Sequence, residues 1–210
     1  VVNQALLQFK LYGAALNEVQ QQRYNQITQR LRDLADQYSK NLNNDINNWQ
    51  YYIPLKDEKR LAGLPEYTKN NAAAKARAMY KNGWVLTIDN PCLTAIETYA
   101  IDRKLRADLY MAFVTEANNN TPIVAEILQL RGELAKILGY ANYAEYATSD
   151  RQPPSALTAL NFLQDLAEKI KPSATQQMAK LQESAKRDGI DTLKPWDIAY
   201  YAQAIKDNLY

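Results

Sequence analysis

Tyr24, Ile27, Leu31, Leu34, Tyr38, Leu42, Ile46 and Trp49 recur every three or four positions along the first quarter of the chain. That spacing gathers them on one stripe of an α-helix and would scatter them over both faces of a strand. Asn17, with Gln20 three residues on, supplies a capping box at the start. From Asn17 to Trp49 such a helix would run about 50 Å at ~1.5 Å per residue. Its other face is Gln, Asn, Arg and Asp, so it packs on one side only.

The helical period persists along the chain. Leu6, Phe9 and Leu11 form a short apolar segment that stops at Gly13. Between Pro54 and Gly63, Asp57 to Leu61 suits a short helix; Pro65 opens another, which continues through the Ala-rich Ala72–Met79 and is ended by Gly83. Trp84-Val85-Leu86-Thr87-Ile88 is the one convincing strand-like run, closed by Asp89-Asn90-Pro91. A lone strand makes no sheet, so this run is expected to be extended backbone or half of a small hairpin. Leu105, Leu109 and Phe113 share a helix face, and Asn118-Asn119-Asn120 reads as a loop. Thr121 as N-cap with Pro122 behind it opens a helix whose stripe is Ile123, Ile127, Leu130, Leu134 and Ile137, ending at Gly139.

Pro153-Pro154 marks a break. Leu160, Leu163, Leu166 and Ile170 make the next stripe, which Pro172 bends or ends. Met178, Leu181 and Ala185 are expected on a following helix that stops near Gly189, and Pro195 starts the last one. The expectation is an all-α fold of roughly eight to ten helices, with at most one short strand or hairpin near 84–88. There is no fixed-period repeat and no shift in composition, so residues 1–210 read as a single helical segment with a possible sub-division near 101.

Chemistry is bounded by what is missing: the sequence has no histidine and one cysteine, Cys92. It cannot build a Cys/His zinc site, a Ser-His-Asp triad or a Cys-His pair. Carboxylates are the remaining acid/base candidates: Asp33 and Asp36 on the long helix, Glu126 and Glu133 on the Ile123 helix, and Glu145 beside Tyr143. With Lys and Arg nearby, as Arg131 and Lys136 are to Glu133, they read as solvated faces with i,i+3 and i,i+4 pairing. Carboxylates alone are a poor zinc site. Cys92, after Pro91 at a helix start, is either a reactive thiol or a small buried side chain; without an imidazole base the buried side chain is favoured. Tyr140, Tyr143 and Tyr146 cluster, as do Trp196, Tyr200 and Tyr201. Trp196 and Tyr200, one turn apart, are expected to pack inward, and Tyr201 and Tyr210 to point elsewhere. A net charge of +2, with Lys and Arg spread over every helix, argues against nucleic acid and against an anionic membrane surface as partners. No apolar run approaches the ~20 residues that span a bilayer. A single cysteine fits a reducing compartment such as the cytoplasm.

Several stretches, in order, carry a family resemblance. They are Gly83-Trp84-Val85-Leu86-Thr87-Ile88-Asp89-Asn90-Pro91; Arg103-Lys104-Leu105-Arg106 with Tyr99, Tyr110 and Ala112; Ile127-Leu128-Gln129-Leu130-Arg131-Gly132-Glu133-Leu134-Ala135; Leu138-Gly139-Tyr140 with Asn142-Tyr143-Ala144-Glu145; and Lys194-Pro195-Trp196-Asp197-Ile198-Ala199-Tyr200-Tyr201. Together they resemble the zinc metallopeptidases of the thimet oligopeptidase and oligopeptidase A family over essentially the whole chain. The sequence departs from that family at Ser149-Asp150-Arg151-Gln152 and at Gly132, where a larger residue is usual.

The resemblance implies a mostly helical, two-lobed fold around a narrow channel, hydrolysis of short peptides, and zinc held by an H-E-x-x-H helix and a downstream Glu. Nothing in these 210 residues matches that motif. The resemblance therefore assigns no catalytic or metal residue here, leaves substrate-binding residues unknown, and places zinc in the parent enzyme. The segment is expected to form channel wall, to be inactive alone, and to need a C-terminal catalytic part. The opening Val1-Val2-Asn3-Gln4 and the unstopped final helix fit a piece of a longer polypeptide. An apolar patch involving Tyr201, Leu209 and Tyr210 would then mark the face toward the rest. The alternative is a standalone helical interaction module without catalysis.

Overall fold

The computed structural model describes residues 2–152 and 155–207. Its elements, in order, are α1 (Val2–Leu11), α2 (Glu18–Asn48), β1 (Tyr51–Pro54), α3 (Glu66–Ala78), β2 (Gly83–Leu86), α4 (Asn90–Tyr99), α5 (Arg103–Val114), α6 (Thr121–Ile137), α7 (Tyr143–Thr148), α8 (Ala156–Arg187) and α9 (Pro195–Asp207), with 3-10 turns at Leu55–Leu61 and Asn118–Asn120. The fold is all-α with one two-stranded ribbon. The break expected at Pro153-Pro154 lies outside the described residues, as do Leu209 and Tyr210.

These elements form two compact units, Val1–Asn41 with Asn118–Pro172, and Leu42–Ala117 with Ser173–Tyr210. In the first, the capping box forms as spaced: Asn17 Oδ1 accepts the Gln20 N–H at 2.9 Å, and Gln20 Oε1 accepts the Asn17 N–H at 3.3 Å. Ile27 and Leu34 of α2 are buried against Ile123, Leu130 and Leu134 of α6 and against Leu138. Two bidentate ion pairs set the register. Arg23 donates to Glu133 at 2.6 and 2.7 Å, and Arg30 to Glu126 at 2.6 and 2.8 Å. The partners lie seven residues apart on each helix and in opposite order, which makes α2 and α6 antiparallel. All four side chains are partly exposed, so the pairs select alignment while the apolar contacts carry the stability.

The N-terminus of α6 differs from expectation. Thr121 does not cap it; its hydroxyl donates to the Asn118 carbonyl at 3.0 Å. The 3-10 turn runs straight into the helix, with Asn120 already helical in its backbone. Buried Asn120 instead donates to the Tyr38 carbonyl at 3.1 Å and accepts from Asn41 at 2.8 Å, pinning the turn to α2.

In the second unit, β1 and β2 pair antiparallel, Tyr51 opposite Leu86 and Pro54 opposite Gly83. The connection between them runs through the Leu55–Leu61 turn and α3, so the ribbon is not a tight hairpin. Pro54 is tolerated because it sits at the end of a two-stranded ladder. Ile53, Leu61, Leu64, Leu86, Leu93, Ile96, Leu105 and Leu109 form the core. Burying each such Leu or Ile is worth about 1.5–3 kcal/mol.

Two expectations are corrected. Helix α3 is stopped by Tyr80, not Gly83: Tyr80 adopts φ 56°, and the Lys81 N–H reaches back to the Ala76 carbonyl at 2.9 Å. Gly83 serves the ribbon instead; at φ 144° a Cβ there would lie 2.2 Å from the Ile53 carbonyl oxygen. Pro172 does not end its helix, and α8 continues through it to Arg187.

Two glycine substitutions should act in opposite directions in chemical denaturation. Gly83→Ala should cost at least ~2 kcal/mol through strain and clash. Gly132→Ala, mid-helix with nothing within 4 Å of a new Cβ, should gain ~0.5–1 kcal/mol.

Candidate functional site

Helix α5 starts at Asp102, whose carboxylate accepts the Leu105 N–H at 3.0 Å and the Arg60 guanidinium at 2.6 Å. Arg60 also donates to the Tyr51 hydroxyl at 2.7 Å, which in turn donates to Asp108 at 2.9 Å. From this capped start, Arg103 and Arg106 project three residues apart on one side of α5, toward the first turn of α9. Pro195 opens α9, and Asp197 reaches back to accept the Lys194 N–H at 3.0 Å, the reciprocal half of a capping box.

Asp197 thereby meets both arginines. Arg103 donates to it at 3.0 and 2.7 Å, and Arg106 at 3.0 Å. Asp197 is 0% exposed and Arg106 1%. The rest of the Arg106 fork is occupied as well: it donates to the carbonyls of Ala100 at 2.6 Å and Trp196 at 3.1 Å, and lies 4.2 Å from the Tyr200 ring centroid. Burial pushes the Asp197 carboxyl up, but the hydrogen bonds from Arg103, Lys194 and Arg106 outweigh it and hold the group below the ordinary carboxylate range. Tyr110 packs on Trp196 with ring centroids 5.9 Å apart. The arginine-rich stretch and the Trp-Asp-x-x-Tyr-Tyr stretch of the sequence are thus one cluster in space.

Tyr201 was expected to point away from the fold and does not. It is 2% exposed, and its hydroxyl donates to Asp188 at 3.1 Å. Burial and that bond push its phenol up to about 12. Its position four residues after Asp197 puts both on the buried face of α9.

A cleft of about 400 Å³ opens elsewhere in this unit, lined by Tyr67, Thr68, Asn71, Lys75, Asp89 and Cys92 among others. Lys75 donates to Thr87 at 2.8 Å and to Asp89 at 2.9 Å, and the Thr87 hydroxyl bonds Asp89. Asp89 also caps α4 through the Cys92 N–H at 3.1 Å. The Cys92 thiol is pushed up by burial. It is a partly buried side chain, and the polar groups around it are Thr87, Asp89 and Lys75.

The other candidates do not converge. Glu126 and Glu133 are tied to Arg30 and Arg23 across helices, not to neighbours on their own helix as expected. Asp33 accepts from Gln29 at 2.9 Å, Asp36 is exposed, and Glu145 accepts the Ala156 N–H at 3.4 Å. Tyr140, Tyr143 and Tyr146 do cluster, with centroids 5.6 Å apart. Among the described residues no group of three or more His, Cys, Asp and Glu could hold a metal ion. The described residues therefore present no ligand set for zinc. No described helix is long and apolar enough to cross a membrane.

The buried Arg106–Asp197 pair was missed at the sequence level. The signal for it was present in Arg103 and Arg106 at i,i+3 and in an acid at the third position of a Pro-initiated helix, but no sequence rule pairs residues about ninety positions apart.

Comparison with known proteins adds the following. The pattern described as peptidase family M3 matches residues 96–210, more than half of the chain. Oligopeptidase A of Salmonella typhimurium is 38% identical over 219 residues, covering 100% of this chain and 32% of that protein. Organellar oligopeptidase A, chloroplastic/mitochondrial, of Arabidopsis thaliana is 30% identical over 95% of this chain and 27% of its own length. The probable cytosolic oligopeptidase A of the same plant is 29% identical, over 95% and 30%. The chain spans about a third of the length of these curated relatives.

Removing the Asp197 carboxylate should cost ~3–5 kcal/mol in Asp197→Ala, because Arg106 is left buried and uncompensated. Arg103→Ala should cost only ~1 kcal/mol, since that side chain is 40% exposed. The Asp197 contribution is fully present above the ordinary carboxyl value of 3.8 and disappears as pH falls through the lower folded value. Urea titrations at several pH values should therefore show a shallower acid loss in Asp197→Asn than in wild type below roughly pH 4.

Proposed function

We propose, from the premise that the chain belongs to peptidase family M3, that these 210 residues are a wall-forming segment of a zinc-dependent oligopeptidase and hold no catalytic centre themselves. The observation that carries this reading is a pairing of two facts. The chain aligns along its entire length with a third of oligopeptidase A, yet it has no histidine with which to ligate zinc. The metal and the water it activates then belong to another stretch of the same polypeptide.

On this reading the segment forms part of the wall of a substrate channel that admits short peptides and excludes folded proteins, and its partner is the C-terminal catalytic part. The Arg103–Arg106–Asp197 cluster supports a supporting role: the Asp197 carboxylate is fully buried and is met within the fold by both arginines and the Lys194 N–H. The start of the family match at residue 96 supports a sub-division near residue 101. A single cysteine and a relative named cytosolic support placement in the cytoplasm.

Purified on its own, the 210-residue chain should hydrolyse no fluorogenic oligopeptide, with or without added zinc. The intact polypeptide should cleave the same peptides and lose that activity to a chelator. Zinc-dependent turnover by the pure 210-residue chain would overturn the reading.

A further inference from the structure

From residue 161 to residue 180 every position of α8 is exposed. The helix is nonetheless strongly amphipathic there. Leu160, Leu163, Leu166 and Ile170 lie on one stripe by their spacing and are 50%, 59%, 40% and 52% exposed. Leu157 and Phe162 flank it at 62% and 64%. Polar residues take the opposite side, including the exposed Asp165–Lys169 pair at 2.6 Å. The same periodicity, followed along the helix, reaches Ala185, which is fully buried. A stripe that is core at one end and bare over its first four turns has lost, or not yet met, what should cover it. A helix of this kind draws most of its stability from packing an apolar face, not from propensity.

We propose that the Leu160–Leu163–Leu166–Ile170 face of α8 is the docking surface for an apolar helix supplied by the part of the same peptidase polypeptide outside these 210 residues. The inference rests on the reading that the chain is a segment of a longer oligopeptidase. About two thirds of the length of the curated relatives lies beyond the matched region, which is ample to supply the partner. The stripe recurs every three or four residues and its polar flank is suited to water. It therefore calls for a helix laid along it, ridges into grooves, rather than for a flat surface. Continuity with the buried end of α8 points to an intramolecular core rather than to an assembly contact.

The test uses the intact polypeptide carrying Leu163→Cys, Ile170→Cys or Lys169→Cys. Maleimide labelling is read by mass spectrometry at each site, and far-UV circular dichroism reports that each preparation is folded, with the native, partly buried Cys92 as the internal reference. Positions 163 and 170 should label about 100-fold more slowly than position 169 on the polar side. Equal rates at all three would overturn the inference. So would protection that disappears on dilution together with a dimer seen by light scattering, since a second copy would then be the cover. Hydrogen exchange of the unsubstituted polypeptide checks the same face without any mutation: slow amides are expected over residues 157–170, and fast exchange there contradicts it. Peptide cleavage by the same preparations separates the two readings. Active protein with an unprotected face defeats only the docking, and inactive protein with a protected face defeats only the assignment as a peptidase segment.

Discussion

A carboxylate sealed from solvent must be met by positive charge and hydrogen bonds, or it stays protonated and its segment stays undocked. Asp197 is that group here, and the arrangement of the second unit follows from how it is met. Arg106 enters fully buried from α5, and Arg103 closes the carboxylate from the partly exposed side. Because Arg106 also holds the Ala100 and Trp196 carbonyls, one side chain fixes both the corner between α4 and α5 and the start of α9. The corner is held from its other side too. Ile101 donates its N–H to Ala62 at 3.0 Å, and Gly63 approaches the Tyr99 carbonyl so closely that a Cβ would sit 2.2 Å from it. The chain of contacts thus runs from the ribbon through the 3-10 turn to α9.

Such a pair specifies more than it stabilises. Two desolvated charges recover in attraction roughly what they lose in hydration, but a misaligned α9 would leave one of them unmatched. The ion pairs of the first unit work differently. Arg23–Glu133 and Arg30–Glu126 are open to water, so they choose the register of α2 on α6 while Ile27, Leu34, Leu130 and Leu134 provide the attraction. In both units these ion pairs join helices that are distant in sequence.

Most of the secondary structure was legible in the sequence because period and caps are local. The α2 stripe, the Asn17–Gln20 box, the Pro195 start and the glycine stops at Gly13, Gly139 and Gly189 all rest on neighbours within about a turn. What could not be read depended on distant partners. Tyr51–Pro54 is a short run closed by a proline, and only Gly83–Leu86 across the ladder makes it a strand. Thr121 had the chemistry of a cap, yet the preceding turn carries helical backbone into α6 and the Thr121 hydroxyl turns back to the Asn118 carbonyl. Tyr201 had an aromatic ring that a partner could use, but its place one turn after Asp197 commits it to the interior. At the candidate site, each half of the Arg–Asp cluster was visible as a motif and the link between the halves was not.

The account stands on the coupling between Arg106 and Asp197, and a double-mutant cycle measures it directly. Arg106→Met, Asp197→Leu and the double variant would be compared with wild type by denaturant titration. The buried-pair account has the double variant more stable than the sum of the single losses implies, by at least ~2 kcal/mol, because each single change strands a buried charge that the double change removes. Losses that add to within ~0.5 kcal/mol would mean that the two residues act independently and that α9 is held by something else.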